Sequence, residues 1–150
     1  MSDQSVYIIG GSTDQKSTET LNAVTRYKIE AGGKVVMEEM APMISTRSSF
    51  GCTVNVHQNE IYVAGGYVMG AVSRKCEAYN VTMNTWRELP QLNEEKCASS
   101  LCVLGGRYLY CIGGFSKADS SGAYLLSTIE MLDLWSSNAK WVTLAIKLPQ

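Results

Sequence analysis

Short apolar runs alternate with polar stretches along this chain, and three of the runs close on a glycine pair. They are Val6-Tyr7-Ile8-Ile9 before Gly10-Gly11, Ile61-Tyr62-Val63-Ala64 before Gly65-Gly66, and Leu109-Tyr110-Cys111-Ile112 before Gly113-Gly114. Four β-branched, aromatic or aliphatic residues bounded by glycine read as a strand. The pairs recur about every 50 residues, a period that marks an array of supersecondary units. One unit cannot bury both faces alone, so neighbours stack and function belongs to the rims of the stack.

Superposing the second unit on the third extends the repeat. Phe50 to Val56 and Ser99 to Leu104 precede the glycine-terminated runs, separated from them by short turns; the Gly105-Gly106 turn suits a hairpin. After each glycine pair comes a long polar stretch, then Cys76 to Asn80 or Ile129 to Asp133. A last strand follows at Thr85 to Pro90 or Lys140 to Leu144. Each unit thus reads as a four-stranded antiparallel meander, strands a to d. The first unit is thinner. It has b at Val6–Gly11, c around Val24–Ile29 and d around Val35–Met40, and it lacks strand a.

These features resemble the kelch repeat: Arg47 or Lys96 at the start of strand a, the apolar-Gly-Gly ending of b, Glu77 or Glu130 in c, and Trp86 or Trp141 in d. Arg47 to Leu92 matches best, and nearly the whole chain is covered. The departures are Met37 for Trp, Thr25 for Glu, Leu132 for Tyr, and insertions near 12–23 and 115–127. The resemblance implies an all-β fold, a segment of a kelch-type β-propeller with about three four-stranded blades, the first lacking its first strand. Repeat bounds fall at roughly 1–43, 44–93 and 94–150. The glycines permit positive φ and close approach of a neighbouring blade. Trp86 and Trp141 are expected to wedge between blades, and Glu77 and Glu130 to be hydrogen-bonded structural groups rather than catalytic carboxylates.

Composition narrows the reading. The chain has 150 residues, 45% hydrophobic and 18% charged, with net charge −1. It is globular, and the absence of a basic block argues against nucleic acid and anionic membrane as partners. No apolar run approaches a membrane span, and the short polar start, Met1 to Ser5, reads as no signal peptide. The five cysteines, Cys52, Cys76, Cys97, Cys102 and Cys111, form no Cys-x-x-Cys pair and read as reduced thiols of a cytoplasmic protein. With His57 the sole histidine, neither metal nor cofactor is expected. The sequon Asn80-Val81-Thr82 would matter only in a secreted protein.

Three units do not close a propeller. The ring is completed either by the rest of a longer chain, the favoured reading because kelch arrays come in one chain, or by a second copy. Meander geometry places the d–a and b–c connections on one rim, with long segments at 12–23, 41–47, 67–75, 90–97 and 115–127. The opposite rim carries tight turns, His57 to Glu60 among them. Binding resides on long segments held by a rigid scaffold. The candidates are Arg47, Ser49, Tyr67, Arg74, Lys96, Ser99, Phe115 and Lys117. In BTB–kelch adaptors, which the chain resembles, strand-a entries and residues after Gly-Gly contribute to peptide recognition. Arginine beside an aromatic suits an acidic or amphipathic partner. A second reading pairs Arg47 with a blade carboxylate and makes Tyr67 a brace for its loop.

Some propellers are enzymes, oxidases or glycosidases. A triad would require His57, on the wrong rim; a sialidase-like site would draw on Arg47, Arg74, Tyr67 and Asp119; a copper oxidase needs a second histidine. The expected function is therefore a non-enzymatic protein–protein interaction module: a scaffold, an actin or cytoskeletal binder, or the substrate receptor of a ubiquitin ligase. The alternative is a propeller enzyme with its catalytic residues outside this chain.

Overall fold

Alternation of apolar and polar positions produces strands throughout. In the computed structural model, which describes residues 5–14, 19–117 and 123–149, the secondary structure is entirely β. The first sheet contains β1 (Ser5–Ser12), β2 (Thr20–Ile29) and β3 (Val35–Met40), in that order. The second orders β4 (Gly51–Asn55), β5 (Glu60–Ala64), β8 (Cys76–Asn80) and β9 (Thr85–Leu89). The third orders β10 (Ser100–Leu104), β11 (Tyr108–Ile112), β14 (Ile129–Asp133) and β15 (Val142–Thr143). All pairings are antiparallel. The meander is as expected, and among the described residues no strand lies beside β1 in the position that β4 and β10 hold.

Two stretches read as loops are strands instead. β6 (Tyr67–Val68) pairs with β7 (Ala71–Val72), and β12 (Phe115–Lys117) with β13 (Ala123–Leu125). In the first hairpin Met69 and Gly70 have φ of 51° and 79°, the left-handed pair of a two-residue turn whose twist matches the strands. β2 also starts at Thr20, inside the expected insertion.

Period-2 alternation gives each sheet two faces, and the core lies between sheets. Val24, Met43 and Val63 are buried between the first and second, with Tyr7, Ile9, Phe50 and Trp86 against them. Tyr62, Ala64, Cys76, Ala78, Leu92, Leu109, Cys111, Leu132 and Trp141 fill the larger cluster between the second and third. Each buried large aliphatic side chain contributes about 1.5–3 kcal/mol. The inner strands approach closely: a Cβ on Gly51 would stand 2.9 Å from Leu101 Cγ and 3.0 Å from the Ser99 carbonyl. On the tight-turn rim, Asn55 Nδ2 joins the two sheets by donating to the Gly106 carbonyl at 2.9 Å.

Candidate functional site

The rim is built from entry segments, which lead into β4 and β10, and from the hairpins. Ser48 and Tyr67 form a two-way backbone bridge at 3.1 and 2.8 Å; Cys97 and Phe115 repeat it, both bonds at 2.9 Å. Each glycine pair lies under an entry segment. Gly11 N–H donates to the Arg47 carbonyl and Gly66 N–H to the Lys96 carbonyl, both at 2.9 Å. A Cβ on Gly65 would overlap that Lys96 carbonyl, so no other residue fits.

This register carries the aromatics to the surface and the basic side chains inward. Arg47 and Lys96, expected on the rim, are both 0% exposed. Arg47 Nη1 donates to the Gly65 and Lys75 carbonyls at 2.9 and 3.0 Å, and Nη2 pairs with Glu77, itself 2% exposed. Lys96 Nζ lies 3.0 Å from Glu130 and 3.2 Å from Glu94. Burial pushes the Lys96 ammonium down, but the Glu130 carboxylate hydrogen-bonded to it prevails, and its pKa is raised. A buried charge persists only when paired, which is why these entry residues turn into the blade. The rim assignment of Arg47 and Lys96 is corrected accordingly.

Ser99 is also withdrawn from the surface. It is 8% exposed, and its hydroxyl lies 3.3 Å from Cys111 Sγ, beneath the close approach of Gly51. Ser49 and Arg74 are exposed. Tyr67 and Phe115 are half-buried and face each other, ring centroids 6.5 Å apart at 59°. Burial raises the Tyr67 phenol, and the neighbouring Cys97 thiol adds to the shift. Lys117 lies in β12 by its backbone pairing with Ala123; its side chain and Asp119 fall outside the described residues.

The rim therefore brings Ser49, Tyr67 and Phe115 together, and among the described side chains leaves Arg74 as the exposed basic candidate. Residues the motif reasoning overlooked surround them. Met69 is 84% exposed at the tip of one hairpin, and Leu125 87% exposed on the other, next to Tyr124. A signal existed for the first: Tyr67 to Val72 is an apolar run centred on Met-Gly. Large apolar side chains on structured arms suit contact with another polypeptide.

The signature carboxylates and tryptophans serve the junctions. Glu77 accepts the backbone N–H groups of Ile44 and Ser45 at 2.8 and 3.1 Å, and Glu130 that of Asn93 at 2.7 Å. Trp86 Nε1 donates to the Ala41 carbonyl and Trp141 Nε1 to the Pro90 carbonyl, both at 2.8 Å. His57 is an exposed residue of a turn on the other rim, packed beside Gly106. Among the described residues no three His, Cys, Asp or Glu side chains are arranged to hold a metal ion. A concavity of about 590 Å³ forms a groove beside the open edge of β1, lined by Tyr7, Ile9, Cys52, Val54, Val56 and Ile61 among others.

Comparison with known proteins agrees with this architecture. The kelch motif family matches residues 49–93. Kelch-like protein 40 of Xenopus laevis is 32% identical over 142 residues, covering 93% of this chain and 22% of that protein. The mouse protein of the same name is 34% identical over 139 residues, covering 91% and 21%. Kelch repeat and BTB domain-containing protein 2 of cowpox virus (strain GRI-90) is 31% identical over 130 residues, covering 86% and 22%. The chain spans about a fifth of the length of these relatives.

Proposed function

Since the chain belongs to the kelch-repeat family, we propose that it is a protein-interaction module, binding a segment of a partner protein across the hairpin-bearing rim. The observation that carries this reading is the paired aromatics Tyr67 and Phe115, flanked by the exposed Met69 and Leu125 on structured arms. With Arg47 and Lys96 neutralised inside the blades, the rim favours a partner that offers apolar side chains over an acidic one. A BTB domain in the name of one relative supports an adaptor role, with the repeats selecting the client in the cytoplasm.

Panning a random peptide library on the folded chain tests the proposal. Selected peptides are expected to share apolar anchors, and Tyr67→Ala and Leu125→Ser to weaken them at least about tenfold without lowering Tm. Peptides that ignore both changes but are lost on Trp135→Ala, on the other rim, would move the site there.

A further inference from the structure

The tight-turn rim differs between the second and third sheets. The bond from Val81 N–H to the Asn59 carbonyl recurs as Leu134 N–H to the Arg107 carbonyl, at 3.0 and 2.9 Å, so Arg107 stands where Asn59 does. Asp133, opposite Tyr108, likewise holds the register of Asn80, opposite Glu60. Two residues beyond them come Trp135 and Thr82. In the second sheet Asn59 Nδ2 donates to Thr82 Oγ1 at 2.8 Å, and both residues are exposed although that sheet carries a neighbour on each face. Exposure at these registers is therefore a property of the rim.

The third sheet places an aromatic stack there. Arg107 Nε and Nη2 donate to the two Asp133 carboxylate oxygens at 2.9 and 2.6 Å. The guanidinium carbon lies 4.9 Å from the centre of the Tyr108 ring and 5.3 Å from that of Trp135. The Trp135 backbone N–H is itself held by Asp133 at 3.1 Å, yet the residue is 63% exposed. Trp86 and Trp141 use their Nε1–H groups on linker carbonyls; that of Trp135 has no partner among the described residues. The connection that carries it is also longer, Trp141 following Asp133 by eight residues where Trp86 follows Asn80 by six. This connection bounds a concavity of about 280 Å³, formed by Leu134, Ser136 and Ala139 against Arg87, Leu89 and Pro90 of the second sheet.

We infer that this corner is a second docking site, taking an uncharged, proline-bearing extended segment of a partner protein. The charges beside it are already matched, Arg107 by Asp133 and Arg87 by Glu60. A partner carboxylate would meet Asp133 and Glu88, and a partner cation the two guanidinium groups, so like charge works against both. The nitrogens that the stack leaves unused, Arg107 Nη1 and Trp135 Nε1, are donors. A polyproline segment makes no internal hydrogen bonds, offers its carbonyls as acceptors, and packs its rings on aromatic faces with little freedom to lose. The inference does not depend on the hairpin reading, since the two sites lie on opposite rims.

Fluorescence anisotropy of a dye-labelled octaproline peptide on the folded chain is the test. Saturable binding is expected, weakened at least about tenfold by Trp135→Ala. Trp135→Phe keeps a ring but loses the N–H, and should weaken binding at least about threefold with the strand signal intact. Tyr67→Ala, on the hairpin rim, is expected to leave it unchanged, and octapeptides of glycine–serine or of glutamate are expected not to bind. Octaproline that fails to bind, that binds either Trp135 variant as tightly as the parent chain, or that is lost on Tyr67→Ala would each overturn the inference. Binding of the glutamate or glycine–serine peptide at comparable strength would do the same. None of these results bears on the library peptides that test the hairpins, so the two readings fail separately.

Discussion

The indole N–H of Trp86 donates to the carbonyl of Ala41 at 2.8 Å across 45 residues of chain, tying the end of one sheet to the outer strand of the next. Trp141 repeats the bond to Pro90 at the same length and is only 4% exposed, whereas Trp86 is half-buried. Trp141→Phe loses packing area and leaves the half-buried Pro90 carbonyl without its donor, and should cost about 2–3 kcal/mol. Trp86→Phe should cost less, because water reaches its site. Urea midpoints of the two variants check the order.

Arg47 and Glu77 form an ion pair sealed from solvent, and Glu77 also receives two backbone N–H groups. Removing one partner leaves the other charge buried alone, so Arg47→Met and Glu77→Leu should each cost about 3–5 kcal/mol. The double variant should cost clearly less than their sum. A double-mutant cycle by chemical denaturation measures this, and additivity would refute the coupling.

Stability should fall at alkaline pH. Burial raises the Cys76 thiol from its ordinary value of 9.0 to about 12, and Cys111 is raised mainly by the same cause. Lys96 is raised above its ordinary 10.5, with Glu130 outweighing burial. All three folded-state values exceed the unfolded ones, so their contribution is fully present below about pH 9. It is lost as the unfolded thiols and then the unfolded amine release protons that the folded chain retains. The urea midpoint should decline from pH 9 upward, less steeply in Cys76→Ala. A level midpoint to pH 10.5 would contradict this account.

Ala98 has φ of 49°, as Ser49 does at the same place in the preceding repeat, and its N–H donates to the Ser49 carbonyl at 2.7 Å. A left-handed alanine costs about 1–2 kcal/mol, and glycine gives back roughly 0.5–1 kcal/mol through the unfolded chain. Ala98 is exposed, so no packing is lost. Ala98→Gly should stabilise by up to about 1 kcal/mol, seen as a rise in Tm.

What the sequence discloses here depends on how local the cause is. Glycine pairs, alternating runs and the Trp and Glu registers answer demands of the nearby backbone, and they located the strands of all three sheets. The inward course of Lys96 was hidden, and that of Arg47 legible only as the second reading, because Glu130 and Glu77 lie 34 and 30 residues away. Only the pairing of strands brings them alongside. The second hairpin was hidden too: Phe115–Lys117 and Ala123–Leu125 are three residues each, too short to show an alternating pattern.

The hairpins also bear on how a partner would be held. Association usually takes freedom from whatever it touches, and a slack loop would have to be immobilised on contact. Here β6–β7 and β12–β13 are already pinned by ladder bonds and by their bridges to Ser48 and Cys97. Little is left to freeze in these paired strands. Differences in grip between partners should then appear mainly as differences in residence time.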